Sequence, residues 1–491
     1  MYKRQPDRYP NSNGLRDLIR HNTAITSHNL SLSGGTQRVN YYVSLGYLYQ
    51  QGMWRTTDYQ RFNLQSNISV KATSTTTVDL NLGGWHQNKK YPGVSAGDIM
   101  YQAYRTPPVS AIKYTNGLWG QYVGKSLYGM AFHSGYDKQP SSQLNATLSI
   151  TQQLPFVKGL SIKGVVSYDP YRSKSKNWLT PMPVYTLDAS TDPYTWTEGF
   201  QGPEKPYLSV SYSEDATFTY QGMINYNNSF GPHQVTALAV IEARDKHCWN
   251  LGARRNNYGI LVDEINSGSS DPSDISNSGT SWRERQVGYV FRAGYNYDNR
   301  YLVELSGRYD GHYYFAPGKR FGFFPAVSLG WNLGQEAFMQ NIQWLTHLKI
   351  RGSYGESGNL AGGSYQYLSD YGFGTAGNFG GIPVMGMWEN IQGNPNITWE
   401  KAKKFDIGVE FSAFNGMLHL EADYFYEKRS NMLMAPNSEV SAEYGIPLSQ
   451  VNAGRMHNQG VDLMVSFNKQ FTHDWYFGVR GTFTYAHNTL D

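Results

Sequence analysis

Few side chains in this sequence have types and spacings that could support chemistry. The run GFGTAG at Gly372–Gly377 matches G-x-G-x-x-G, the pattern of a dinucleotide site between a strand and a helix. A second glycine-rich run, NFGG, follows it where that site would need a helix. We therefore expect Gly372–Gly377 to be a flexible external loop. Asp271 and Asp274 in SSDPSDIS lack the oxygen-ligand pattern of a calcium loop, so a solvated loop is expected there too.

The sequence also gives little support for a catalytic nucleophile or a metal site. No H-E-x-x-H pattern occurs, and the 12 histidines are scattered along the chain. The only cysteine, Cys248, excludes an internal disulfide and a cysteine-rich metal site. A glycan-cleaving enzyme would need two carboxylates converging on one bond, and spacing along the chain identifies no such pair. The sequence predicts no enzyme activity, no cofactor and no metal.

Aromatic side chains in the polar connecting segments remain as candidates for ligand contact. Exposed rings can stack on the apolar faces of sugar rings, while Asn, Gln and Asp bond the hydroxyl groups. The same rings could instead pack the loops against one another or against a partner protein. Our hypothesis is that Trp119, Trp196 and Trp388 contact substrate.

The elements that position these residues are predicted from alternation along the chain. In Ser31–Gly52, apolar and aromatic side chains share one parity, while small and polar ones share most of the other. Successive strand residues point to opposite faces, so this segment has one apolar, aromatic face. The same pattern recurs in about sixteen segments, several near the length of a membrane-crossing strand. No apolar run is long enough for a spanning helix.

Composition narrows the class of protein further. Aromatic residues make up 15% of the 491 residues, and the 51 glycines favour a β-rich chain with many turns. The net charge of +4 is small for this length and no basic run stands out, so a nucleic-acid partner is not predicted.

Three features indicate that lipid covers the apolar faces of the predicted strands. Short and long connections alternate, as in outer-membrane barrels with short periplasmic turns and long external loops. Charged residues, among them Asp406, Glu410 and Asp423, occupy the opposite strand face, which must therefore meet water. Aromatic residues cluster beside the short turns, as in an interfacial girdle: Phe156, Phe230, Tyr297, Tyr301, Trp344, Phe414, Phe471 and Trp475. The predicted fold is an all-β, antiparallel transmembrane β-barrel.

Six stretches of the sequence are distinctive in their order and spacing: SHNLSLSGGTQRVNYYVSLGYLYQQG, DYQRFNLQSNIS, RYDGHYYFAPGKRFGFFPAVSLGWNL, LKIRGSYGESGN, NPNITWEKAKKFDIGVEFSAFNGMLHLEADYFYEKRSNML and NQGVDLMVSF. Together they resemble the barrel of the SusC-like TonB-dependent transporters of Bacteroidetes-type outer membranes (the SusC/RagA family). The resemblance implies a 22-stranded barrel, an N-terminal plug, a segment engaged by TonB and a SusD-like lid lipoprotein. About sixteen strands are recognisable here, so we expect the plug and the last strands to be missing.

The predicted organisation has three parts. Residues 1–5, MYKRQ, look like a translated sequencing adapter, with a true N-terminus as the alternative. Residues 6–28 are expected to be a lead-in segment after the missing plug, and residues 29–491 a partial receptor barrel.

The resemblance implies active transport across the outer membrane of a Gram-negative, Bacteroidetes-type cell. The expected cargo is an oligosaccharide, with peptide as the main variation. The expected partners are a SusD-like lipoprotein, the TonB-ExbB-ExbD complex acting through the plug region, and outer-membrane lipid. The alternatives are a secreted soluble β-sheet protein that binds or degrades glycans, with its sheets packed face to face, and a passive porin-like barrel.

Overall fold

The computed structural model describes residues 5–436 and 441–491. The predicted adapter segment, residues 1–5, therefore lies outside the described residues except for its last position. Within the described ranges the helices are α1 Gly14–Leu18, α2 Ala96–Arg105 and α3 Leu127–Phe132, with short 3-10 turns at Ile265–Ser267, Pro272–Asp274, Leu333–Gln335 and Ala442–Tyr444. No helix in these ranges is long and apolar enough to cross a membrane.

Strands make up most of the described chain. In order they are β1 Ile25–Gly35, β2 Val39–Gln51, β3 Asp58–Lys71, β4 Thr76–Tyr91, β5 Gly135–Lys138, β6 Ser141–Gln153, β7 Leu160–Leu179, β8 Met182–Asp188, β9 Thr195–Gln201, β10 Tyr207–Phe230, β11 His233–Arg255, β12 Ile275–Tyr297, β13 Tyr301–His312, β14 Phe321–Trp331, β15 Leu345–Asn359, β16 Asp370–Phe379, β17 Ile382–Ile391, β18 Glu400–Ala413, β19 Leu418–Met434, β20 Val451–Gln470 and β21 Tyr476–Leu490. The predicted stripes fall on β1–β4, β6, β7, β10–β15 and β18–β21.

The chain divides into two compact units. Unit 1 comprises residues 1–149, 166–218 and 245–283, and unit 2 comprises residues 150–165, 219–244 and 284–491. In unit 1, β1 to β4 pair antiparallel with their neighbours in sequence. In unit 2, β12 to β15 form one antiparallel run, β15 then pairs with β18, and β18 to β21 continue it.

The apolar strand faces are exposed. In unit 1, Leu45 and Leu64 lie directly opposite each other and are 51% and 44% exposed. In unit 2, Leu305 and Leu329 are 52% and 56% exposed. Leucine side chains in a soluble sandwich would be covered by a second sheet. Within each unit these strand faces are left open, as the predicted contact with lipid requires.

Buried clusters form away from these faces. In unit 1, Leu18 of α1 packs with Ile99 and Ala103 of α2 and with Leu127 of α3. The N-terminal segment is tied to the connection between β4 and β6, since the Ser12 N–H donates to the Pro108 carbonyl at 2.9 Å. Residues 12–18 therefore pack with a long connection. A second cluster in unit 1 contains Trp178, Leu208 and Tyr258, and unit 2 contains one formed by Phe315, Phe324, Ile397 and Trp399.

Strand ends are where sequence and structure differ most. The connections predicted over residues 171–207 and 249–285 are shorter, because β7 continues to Leu179 and β11 to Arg255. These strands continue through backbone pairing into polar sequence, where apolar and polar residues no longer alternate and the strand cannot be recognised from the sequence. The Gly372–Gly377 run, expected to be a flexible loop, instead lies in β16, which pairs with β17 as a hairpin.

Candidate functional site

The charged strand face of unit 2 centres on Arg351 of β15. Its guanidinium contacts Asp406 and Glu410 of β18 at 3.3 and 3.0 Å and Asp423 of β19 at 2.8 Å. Lys349 lies 3.4 Å from Glu410. Residues directly opposite each other in an antiparallel pair share a face of the sheet. The ion pairs therefore link the neighbouring strands β15, β18 and β19 on the face opposite the exposed apolar residues.

Other charges on strand residues are similarly paired. In unit 2 the pairs are Arg292 with Glu304, Arg308 with Asp310, and Lys404 with Glu427, and in unit 1 Arg172 with Glu214 and Lys246 with Asp215. Most of these side chains keep substantial exposure, so each pair stabilises the fold only modestly. The result is a hydrated face with charges of both signs close together.

A cavity of about 510 Å³ lies on unit 2 beside this face. Its walls include Gln234 of β11, Asn296 of β12, Glu304 of β13 and both basic residues, Lys349 and Arg351. The volume falls in the range of small-molecule pockets, and its lining supplies hydrogen-bond donors and acceptors. It could hold a polar, hydroxyl-rich group.

Trp119 lies in the packed connection between β4 and β6. Its ring stacks on His133, with centroids 4.2 Å apart and planes at 24°, and the Tyr128 ring lies 5.9 Å away. Its carbonyl accepts the Tyr185 N–H of β8 at 2.9 Å. Trp119 thus uses part of its ring to hold the loops of unit 1 together.

The ring partner of Trp119 is kept neutral. Burial lowers the pKa of His133, and the positive charges of Arg55 and Lys113 lower it further. The Trp119–His133 stack is therefore a contact between two uncharged rings at neutral pH.

Trp196 lies on β9 of the β8–β9 hairpin. Its ring meets Tyr114 nearly edge-on at 6.1 Å, and its indole Nε1 is buried with no hydrogen-bond partner among the described residues. Trp119 and Trp196 thus both belong to the packed loops of unit 1.

Trp388 lies in unit 2, on β17, and is 45% exposed. Its indole crosses Gly372 of β16, where an added Cβ would meet indole atoms at 2.8 Å. Gly372 and Gly374 therefore leave room for the indole, and strand β17 rather than a helix comes next after β16. Of the three predicted tryptophans, Trp388 is the most accessible.

The loop between β11 and β12 is fastened by an ionic contact. The Tyr136 hydroxyl donates to the Asp263 carboxylate, and Lys176 lies 3.0 Å from the same carboxylate. These two partners lower the pKa of Asp263.

The Asp271 Oδ1 accepts the Ser273 N–H at 2.9 Å, so it caps a short turn. Among residues 5–436 and 441–491, no group of three or more His, Cys, Asp and Glu could hold a metal ion.

A further motif, GVSAG at Gly93–Gly97, matches the G-x-S-x-G pattern of a serine nucleophile. Ser95 instead begins α2: its Oγ accepts the Asp98 N–H at 3.1 Å and donates to the Asp98 carboxylate at 2.7 Å. Both contacts belong to a helix cap. Lys349 and Arg351 were not among the residues predicted from the sequence, although their parity on β15 marks the polar face.

Three comparisons with known proteins agree. Residues 93–491 match the family described as "TonB dependent receptor-like, beta-barrel". A TonB-dependent receptor of Formosa agariphila is 26% identical over 477 residues, covering 94% of this chain and 45% of that protein. The TonB-dependent receptor SusC of Bacteroides thetaiotaomicron is 22% identical over 500 residues, covering 97% of this chain and 48% of that protein.

The fold is similar to that of the RagAB peptide importer. In its open-open state the match has a TM-score of 0.82 at 21% identity, covering 98% of this chain and 52% of that chain. In its closed-closed state the TM-score is 0.81 at the same identity and coverage. This chain spans about half the length of the curated relatives it matches.

These matches confirm the predicted resemblance, the antiparallel β-barrel fold class and the outer-membrane location. The family is one of receptors and transporters rather than of enzymes. The chain belongs to the TonB-dependent receptor-like β-barrel family of outer-membrane proteins.

Proposed function

We propose that this chain is the greater part of the barrel of a longer receptor, called here the parent receptor, that imports a bulky nutrient across the outer membrane. The observation that carries the proposal is the family match over residues 93–491, joined to a strand face of paired charges opposite a face of exposed apolar residues. Residues 29–491 are assigned to the barrel. The plug and the segment engaged by TonB are assigned to the rest of the parent receptor.

The proposed cargo is an oligosaccharide. The aromatic residues of the connecting segments and the hydroxyl-binding groups of the unit 2 cavity support this choice. A peptide is the second candidate, favoured by the similarity to the RagAB peptide importer. A SusD-like lipoprotein would cover the outer face, and the TonB-ExbB-ExbD complex would supply energy through the plug.

Trp119, Trp196 and Trp388 are retained as proposed substrate contacts. Trp388 is the best supported of the three, because its side chain is exposed. The rings of Trp119 and Trp196 are partly engaged in packing against neighbouring rings. Alanine at Trp388 alone should lower cargo affinity, whereas alanine at Trp119 should also loosen the loops. A triple variant with unchanged uptake and binding would remove the assignment.

The proposal is tested by deleting the gene of the parent receptor in its host. Growth on one or more polymeric glycans should stop, growth on the monosaccharides should continue, and an inactive TonB should reproduce the defect. Growth that is lost on peptides alone would select the peptide cargo. Uptake that continues without TonB would favour a passive porin, and a parent protein soluble without detergent would favour the secreted alternative.

A further inference from the structure

An assembly of aromatic rings begins on the charged strand face of unit 2, at the end of the strands that carries the long connections. Phe324 of β14 lies directly opposite Arg308 of β13, so the two side chains share a face. The Phe324 and Phe315 rings each lie 5.4 Å from Trp399, and all three residues are nearly inaccessible. The Trp399 indole also donates to the Arg320 carbonyl at 2.9 Å. These contacts form a rigid base.

Four tyrosines, here called the tyrosine row, extend from this base into solvent: Tyr314, Tyr313, Tyr365 and Tyr367. Tyr314 packs against the base. The Tyr313 ring lies 4.9 Å from Tyr314 and 5.5 Å from Tyr365, and Tyr365 lies 6.1 Å from Tyr367. Successive rings meet at 76°, 65° and 55°, so the first two pairs meet edge to face and the third pair is tilted.

Tyr365 is the exposed member of the row, and its backbone is strained. It is 48% exposed and adopts a φ of +59°, a left-handed conformation that bulky residues rarely take. The conformation is held by a turn, since the Leu368 N–H donates to the Tyr365 carbonyl at 2.9 Å. The next residue, Gln366, is fixed by the side chain of Gln450 at 3.2 Å. Strain held this firmly typically accompanies a functional position.

The Tyr313 hydroxyl of the row is a neutral donor. Burial and the nearby carboxylate of Glu284 raise the pKa of Tyr313, so its phenol stays protonated at physiological pH. Arg308, which shares a strand face with Phe324, is paired with Asp310 at 2.8 Å. The row therefore offers ring faces and the neutral Tyr313 hydroxyl, which complement an uncharged, polyhydroxylated ring.

We propose that the tyrosine row is a binding subsite for a neutral sugar ring of the cargo, with Tyr365 providing the stacking face. The inference rests on the proposed transport function and adds a named subsite and a ligand class to it. It is independent of Trp119, Trp196 and Trp388, none of which belongs to the row. Tyr313 contacts the Tyr365 ring, and Tyr314 connects Tyr313 to the base.

The test uses the purified parent receptor in detergent and measures equilibrium binding of three fluorescent probes and of casein tryptic peptides. The probes are neutral heptasaccharides of glucose, xylose and fructose. Tyr365→Gly removes the ring and accepts the positive φ, so the backbone is kept. We expect it to weaken binding of the preferred heptasaccharide about tenfold, which is the loss of one aromatic contact. Tyr365→Phe should stay within about threefold of the wild type.

The matched control is Tyr371→Ala, which removes a tyrosine of nearly equal exposure, 50%, from β16 outside the row. It should leave binding unchanged. Heptasaccharide binding that is equal in wild type and Tyr365→Gly would overturn the subsite and leave the transport proposal standing. Binding of peptides alone, weakened by Tyr365→Gly, would overturn the ligand class. A wild-type receptor that binds none of the probes or peptides would overturn the subsite, whereas growth on every polymeric glycan and on peptides that survives deletion of the receptor gene would overturn the proposed function as well.

Discussion

Replacing Arg351 with methionine should destabilise the parent receptor because one guanidinium serves three carboxylates. The substitution keeps an unbranched apolar stem and leaves Asp406, Glu410 and Asp423 close together without their shared partner. Exposed ion pairs contribute at most about 1 kcal/mol, whereas breaking a buried one costs about 3–5 kcal/mol. The four side chains are 16–34% exposed, which places this network between those limits.

We therefore expect Arg351→Met to lower the free energy of unfolding by about 2 kcal/mol, or roughly 30-fold in the folding equilibrium. The measurement is urea unfolding in lipid vesicles, followed by tryptophan fluorescence and by gel mobility of unheated samples. Adding Asp423→Asn should recover about half of the loss, because it removes one of the crowded charges.

Arg292→Met is the matched control. Arg292 also projects from a strand but is 55% exposed and pairs with a single carboxylate, that of Glu304. Its replacement should change the free energy of unfolding by no more than about 0.5 kcal/mol. Equal effects of the two substitutions would refute the reasoning that the shared network matters. An Arg351→Met variant that Asp423→Asn destabilises further would refute it as well.

Three further predictions follow from the same contacts. Asp263 has a lowered pKa, so the hydrogen bond that it accepts from Tyr136 should protect the β11–β12 loop fully above pH ~4 and be lost as the pH falls through the lowered pKa. Limited proteolysis across that pH range should show the loss of protection, and Asp263→Asn should abolish the pH dependence. His133 also has a lowered pKa, so the hydrogen-exchange protection factors of residues 111–133, corrected for the intrinsic exchange rate at each pH, should fall as the pH drops below about 6.5, and His133→Asn should remove that response. Leu329→Arg should cost about 2–4 kcal/mol in vesicles, whereas Ser328→Arg on the opposite face should cost much less.

The strands were the most predictable part of the structure. The alternation of apolar and polar side chains is a local property of the sequence. The prediction from residues 39–49 that one strand face is apolar therefore needed only the two-residue period of a strand. The strand face that carries Asp406, Glu410 and Asp423 followed from the same parity. Strand ends were not predictable, because polar sequence such as that after Trp249 pairs through its backbone and leaves no periodic signal.

The candidate sites depended on contacts between distant parts of the chain. Arg351 meets Asp423 only because β15 and β19 both pair with β18, and this register is set by the whole meander. Tyr313 meets Tyr365 across a connection whose backbone departs from ordinary φ values. The GFGTAG run could not be recognised as part of a hairpin, because Gly372 and Gly374 are explained by the indole of Trp388 on the next strand.

The central claim is that one face of each strand touches lipid and the other touches water. The most direct measurement places nitroxide labels singly at Val303, Glu304, Leu305 and Ser306 of the parent receptor in bilayers, and records collision rates with oxygen and with a water-soluble nickel chelate. Labels at Val303 and Leu305 should favour oxygen, and labels at Glu304 and Ser306 the chelate, with a period of two. Low collision rates with both reagents at Val303 and Leu305, as in a dry protein interior, would contradict the account.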